Sequence, residues 1–197
     1  MNSSEITAVT QYLTFTLGEE DFALEIAKVR EVLDYTTITK VPRMPEFLRG
    51  VINLRGNVVP VIDLRLKLDM SATKKTVDTC IVIVEIDMDG EFMQVGALSD
   101  SVQEVIDLHP DQISPPPKIG IKLNTEFIRG MGKQDEEKFL IILDIDRVLS
   151  SNELALMQTT GTNPGPESKD LALEAEYPLP EPNSNETGVG VEASGTS

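Results

Sequence analysis

The stretch Leu48-Arg-Gly-Val-Ile-Asn-Leu-Arg-Gly-Asn-Val-Val-Pro-Val-Ile-Asp-Leu-Arg65 decides how this chain is read. Residues 51–54 and 58–64 are largely β-branched and apolar. Between them stands Arg55-Gly56-Asn57, so the segment reads as a β-hairpin. Arg55 falls at the hairpin tip, with Asn53 and Gly56 beside it. A rigid hairpin can present a guanidinium there as a bidentate donor. Pro60 has no N–H for a ladder, so its strand is expected to be an edge or to bulge at that point. An edge beside an apolar face is a natural docking surface.

Parts of this stretch, and of the sequence before it, occur twice. Val29-Arg-Glu-Val-Leu-Asp34 returns as Val102-Gln-Glu-Val-Ile-Asp107. Glu46-Phe-Leu-Arg-Gly50 returns as Glu126-Phe-Ile-Arg-Gly130, and Val58-Val-Pro-Val-Ile-Asp-Leu64 as Phe139-Leu-Ile-Ile-Leu-Asp-Ile145. The offsets are 73, 80 and 81, in unbroken order. Three matches in register indicate an internal duplication. The fold expected is mainly β: two related barrel subdomains of about five strands each, too small to stand apart and therefore packed together. Whether an early strand of one unit completes the other is left open.

The remaining elements follow from periodicity. Residues 12–17 alternate apolar and polar, residues 18–21 turn, and residues 22–25 return. Residues 80–86, 92–95 and 139–145 read as further strands, with a turn at 87–90. Short helical turns are expected before Gly50 and Gly130, each glycine stopping its helix in the left-handed conformation. Ser151 is expected to cap a closing helix over residues 152–157, with Glu153 in its first turn. Beyond it, residues 158–197 carry seven acids, a single lysine and five prolines, so a disordered acidic tail is expected.

The formal net charge is −16, which argues against nucleic acid and anionic lipid as partners. A lone cysteine, Cys80, permits no intrachain disulfide. The opening residues lack a secretory pattern, and no apolar run approaches the ~20 residues of a membrane span. A soluble cytoplasmic protein without membrane insertion is the expectation. No catalytic set emerges. His109, the only histidine, precedes Pro110 in a polar turn and reads as a surface residue. Cys80 opens an apolar strand and reads as a buried thiol. Metal and cofactor sites are not expected: Asp87, Asp89 and Glu91 begin like a calcium loop, but the later ligands are missing. Gly130 and Gly132 lead into an acidic run that repels phosphate. Pro115, Pro116 and Pro117 form a stiff connector or an exposed contact loop.

The segment 49–65 resembles the signature of the CheW family of chemotaxis coupling proteins. The opening residues 15–32 and the closing residues 125–145 resemble that family too, and the likeness covers about residues 11–157. The resemblance implies two SH3-like five-stranded β-barrels with short helices and a C-terminal helix, in a non-enzymatic adaptor. It implies one surface for the regulatory domain of the histidine kinase CheA and another for the cytoplasmic tip of chemoreceptors, which would recruit the protein to membrane receptor arrays. Val29, Glu31, Gly50 and Arg55, with Asn53 and Gly56 of the same hairpin, match partner-binding positions. Val102 and Val105 match positions linked to receptor contact. Some members add a kinase contact through an acid and an aromatic after the prolines; here Lys118 and Ile119 stand there, which departs from that pattern. An adaptor of a paralogous pathway, controlling pilus-based motility, is the alternative.

Overall fold

Some strands alternate buried and exposed residues, but others are apolar on both faces. Val82, Val84 and Ile86 enter one core, while Ile81 and Ile83 enter another. Leu140 and Ile142 are likewise divided from Ile141 and Leu143. A strand buried on both faces must lie in a sheet covered on both sides. The computed structural model meets that requirement with two sheets and three cores; it describes residues 8–88, 90–116, 125–135 and 138–161.

The first sheet has the order β3-β6-β7-β5-β4: β3 Val29–Asp34, β4 Leu48–Leu54, β5 Asn57–Asp63, β6 Cys80–Met88 and β7 Glu91–Ser99. The second runs β8-β1-β2-β11-β10-β9: β1 Thr10–Leu17, β2 Glu20–Glu25, β8 Ser101–Leu108, β9 Ile113–Ser114, β10 Ile128–Lys133 and β11 Phe139–Leu143. Each sheet has its own small core on one face. The large core between them is shared by Phe15, Phe22, Ile62, Val84, Leu143 and Ile145. Phe15 and Phe22 stack there with centroids 5.9 Å apart.

The open question about subdomain closure is answered by a swap. The β1–β2 hairpin, first in the chain, joins the second sheet through parallel pairing of β2 with β11. The β6–β7 hairpin fills the same place in the first sheet, through parallel pairing of β7 with β5. Neither sheet is a closed ring of paired strands, yet the first curls until its outer strands meet. Thr39, just beyond β3, bridges to Val51 of β4.

The repeat is realised residue by residue. Both β4–β5 and β10–β11 shift register at the same place, between Leu48 and Gly50 and between Ile128 and Gly130. After β5 and β11 the chain turns directly into short helices, α1 Leu64–Lys67 and α2 Ile145–Val148. The Asp63 N–H donates to Phe47 O at 2.7 Å, and the Asp144 N–H to Phe127 O at 2.8 Å.

Four expectations need correcting. Gly50 does not stop a helix: it lies inside β4, after a simple turn in which the Leu48 N–H donates to Pro45 O. Its φ of +139° and the close passage of Thr39 explain the glycine, because a Cβ would lie 2.1 Å from Thr39 O. Gly130 is also within a strand, although a 3-10 turn, Thr125–Phe127, does precede it. Pro60 does not mark an outer strand, since β5 lies between β7 and β4; but pairing with β7 begins only at Val61, so β5 at Pro60 pairs on one side. The closing helix, α3 Ser151–Gly161, starts one residue early and ends four residues late. Ser150 is its cap: the Ser150 N–H donates to Glu153 Oε2 at 2.7 Å, and the Glu153 N–H to Ser150 Oγ at 3.4 Å, a reciprocal capping box. Lys118, Ile119 and the tail beyond residue 161 lie outside the described residues. Among those described, no helix is long and apolar enough to cross a membrane.

Helix α3 is fastened where the halves meet. Lys67 Nζ lies 4.6 Å from the Phe47 ring centre and 5.6 Å from that of its repeat partner Phe127. It also donates to Glu153 Oε1 at 2.6 Å. Burial pushes the Glu153 carboxyl up, but the hydrogen bonds from Lys67 and Ser150 together outweigh it, so its pKa lies below the ordinary value. A depressed carboxyl stabilises the fold above its unfolded pKa and loses that contribution as pH falls through the folded one. Glu153→Gln is therefore expected to lower the melting temperature at neutral pH, with the gap to wild type closing below about pH 4. For the glycines, Gly50→Ala is expected to cost about 3 kcal/mol or prevent folding, because backbone must move. Gly130→Ala, where the nearest atoms are Ile113 Cγ2 at 2.9 Å and Ser114 O at 3.0 Å, should cost less. Denaturant melts compare the two, and equal losses would discount the Thr39 passage as the cause.

Candidate functional site

The β4–β5 loop has two residues, one fewer than the sequence signal suggested. Leu54 pairs with Asn57, and both Arg55 (φ +53°) and Gly56 (φ +91°) take positive φ. That is the pattern of a type I′ hairpin, whose twist suits the flanking strands. Asn53 Oδ1 accepts the Gly56 N–H at 2.8 Å and so fixes the turn. Arginine in the left-handed region costs roughly 1 kcal/mol relative to glycine, so the turn geometry alone does not explain Arg55.

The tip is aimed at the far edge of the same sheet. Arg55 Nη1 and Nη2 donate to Glu31 Oε1 and Oε2 at 2.9 and 2.8 Å, a fork-to-fork pair joining β4–β5 to β3 across the curl. The Arg55 side chain is 75% exposed and that of Glu31 24%, so the pair contributes little to stability, within about 1 kcal/mol. It leaves a polar, preorganised surface of Glu31, Asn53, Arg55 and Gly56 facing water. Gly50 is buried, next to Thr39 and Ile38.

The predicted valines separate into two kinds. Val29 and Val102 are half-buried and pack against the shared core. Their repeat neighbours Val32 and Val105 are 42% and 47% exposed. Opposed residues in an antiparallel pair share a face. Val32 opposes Val82 and Val105 opposes Leu13, both shared-core residues, so the exposed valines form open margins of that core on edge strands β3 and β8. Both strands shift register beside these residues, and on β1 the buried Thr14 Oγ1 donates to Glu104 O at 2.9 Å to satisfy the irregularity. Val32 did not figure among the expected site residues, although its place in the repeat, one cycle before Val105, was the signal that could have found it. His109 is exposed, and Cys80 is buried with its sulfur 3.3 Å from Ser99 Oγ.

Two curled, open β-sheets sharing one core, with a polar hairpin tip and apolar edge-strand margins exposed, define the class: a two-sheet, all-β module without an evident catalytic cluster among the described residues. A CheW-like domain is matched over residues 11–153. The chemotaxis protein CheW of Klebsiella aerogenes is 37% identical over 151 residues, covering 77% of this chain and 88% of that protein. CheW of Helicobacter pylori is 32% identical over 144 residues, covering 73% and 84%. Among solved structures, the scaffolding protein TtCheW from Thermoanaerobacter tengcongensis superposes with a TM-score of 0.65 at 36% identity, covering 74% of this chain and 95% of that one. The chain belongs to the CheW family, and its role is that of a chemotaxis scaffold.

Because backbone strain and the exposed ion pair at Arg55 offset each other, Arg55→Asn is expected to change stability by less than about 1 kcal/mol. Urea unfolding of the two proteins checks this, and a larger loss would make Arg55 a structural residue.

Proposed function

We propose that this protein couples chemoreceptors to the histidine kinase CheA without catalysing a reaction, working in the cytoplasm at receptor arrays. The regulatory domain of CheA docks on Glu31, Asn53, Arg55 and Gly56. The observation that carries this is the exposed, bidentate Arg55–Glu31 pair on a strained hairpin whose strain folding does not require. The receptor tip docks along the apolar margins, with Val105 as the contact and Val102 behind it as support. Val29 supports Glu31 from below in the same way. Contacts of this kind give modest affinity spread over an apolar patch with a polar rim, rather than a deep ligand pocket.

The test is a pull-down of the purified protein with the regulatory domain of a cognate CheA and, separately, with receptor cytoplasmic fragments. Arg55→Glu is expected to weaken kinase capture at least about tenfold while melting like wild type. Val105→Glu is expected to do the same to receptor capture and spare the kinase. Absence of kinase binding by the wild type would overturn the reading.

A further inference from the structure

The negative charge of this chain is not evenly spread. Residues 40–75 hold eight lysines and arginines against three acids, net +5. The rest of the chain holds nine bases against thirty acids, net −21. Of the three acids in the basic stretch, Asp63 is fully buried, where it accepts from the Thr73 N–H at 2.9 Å and from Thr73 Oγ1 at 2.8 Å.

Two contacts tie parts of this stretch to β4. The Thr39–Val51 bridge brings Lys40 against β4. Arg49 Nη1 lies 3.6 Å from Asp63 Oδ2, the same oxygen that accepts from the Thr73 N–H, and Lys74 is the next residue after Thr73. Lys75 Nζ lies 4.4 Å from the centre of the Tyr35 ring. Arg55, Arg65 and Lys67 are each paired with a carboxylate. Lys40, Arg43, Lys74 and Lys75 are all exposed, and none is in an ion pair among the described residues. Arg43 is also held at a φ of +62°, a conformation costly for an arginine that contacts no acid. Beside Lys75 lies a shallow hollow lined by Asp34, Tyr35, Thr76, Val77 and Thr79, in which Val77 is 98% exposed.

We propose that Lys40, Arg43, Lys74 and Lys75, with Arg49 between them, form a second docking surface, separate from the hairpin tip, for an acidic segment of a partner protein. Its carboxylates meet the unpaired cations, and an apolar residue within it covers Val77 and the Tyr35 ring. Unpaired cations on a protein that is otherwise acidic steer an anionic partner to this face and repel it from the others. Asp34 and Glu46 at the margins bias the surface toward extended acidic segments that can avoid them.

The test uses the full chain and a fluorescein-labelled oligoglutamate peptide, read by anisotropy at low salt. Wild type is expected to bind saturably, with affinity falling as salt is raised. The fourfold variant Lys40→Gln, Arg43→Gln, Lys74→Gln, Lys75→Gln should lose at least about tenfold in affinity, since each loop cation is exposed and its neutralisation spares the fold. Arg55→Glu should bind the peptide like wild type, which separates this surface from the proposed kinase site. The proposal is overturned if wild type shows no saturable binding, if the fourfold variant binds equally well, or if oligo-deoxythymidine of equal charge binds as tightly. The last result would make the patch a general anion site rather than one for acidic protein.

Discussion

The parallel pairing of β2 with β11, Phe22 against Ile141 and Ala23 against Ile142, holds the remainder of this fold in place. Parallel neighbours need a long crossover, and here the crossover contains the whole first sheet together with β8, β9 and β10. The pairing sets Phe22 facing the shared core and Ala23 facing the second sheet's own core. A slip of one residue would exchange them and bury the wrong volume on both sides. The first sheet repeats the device over a shorter span, with Val61 against Gly96. Gly96 is required there, because a Cβ would lie 2.8 Å from Ile81 Cγ2 and 3.1 Å from Val61 Cγ2. The two sheets close on a common core only after the last strand is in place, so most of the stabilising contacts are distant in sequence.

What could be read from sequence was what the two halves have in common. Gly50 and Gly130, Phe47 and Phe127, and Asp63 and Asp144 before the short helices recur because both halves need the same register shift and the same turn into a short helix. Their meaning was harder to read. A glycine after a short apolar stretch suits a helix stop and a close backbone approach equally, and only the position of Thr39, a distant residue, separates the two at Gly50. Strand β10 escaped notice because Gly130 and Gly132 lower its β propensity, yet Gly132 is there to admit Leu108, whose Cδ1 would lie 2.9 Å from a Cβ. The cap of α3 was legible after all: Glu153 three residues beyond Ser150 distinguishes it from Ser151. The hairpin swap left no local trace, since nothing in residues 10–25 says which sheet they join.

The same division holds at the proposed docking surfaces. Arg55 was visible as a hairpin tip, but its partner Glu31 lies on the opposite edge of the sheet, and only the curl brings them together. The basic stretch was hidden in plain counting, because a net charge taken over the whole chain averages +5 with −21. Among the described residues, the three non-glycine residues at positive φ, Arg43, Arg55 and Asp69, all fall within that stretch. Strain is therefore kept out of the doubly covered strands and placed in the loops around β4 and β5, where rigid sheets on either side can sustain it.

On the proposed reading, strand β3 carries the coupling. Glu31 opposes Ile83, which belongs to the first sheet's own core, and Val32 opposes Val82, which belongs to the shared core. Consecutive residues of one strand thus face opposite sides of the sheet, about 3.3 Å apart along it. The polar surface that includes Arg55 lies on one side, and the apolar margin of the shared core lies on the other. Beneath them Val82 and Ile83 of β6 are buried on opposite faces, each in a different core. On that reading the scaffold holds its two partners apart by the thickness of one sheet, the polar surface on one side and the apolar margin on the other.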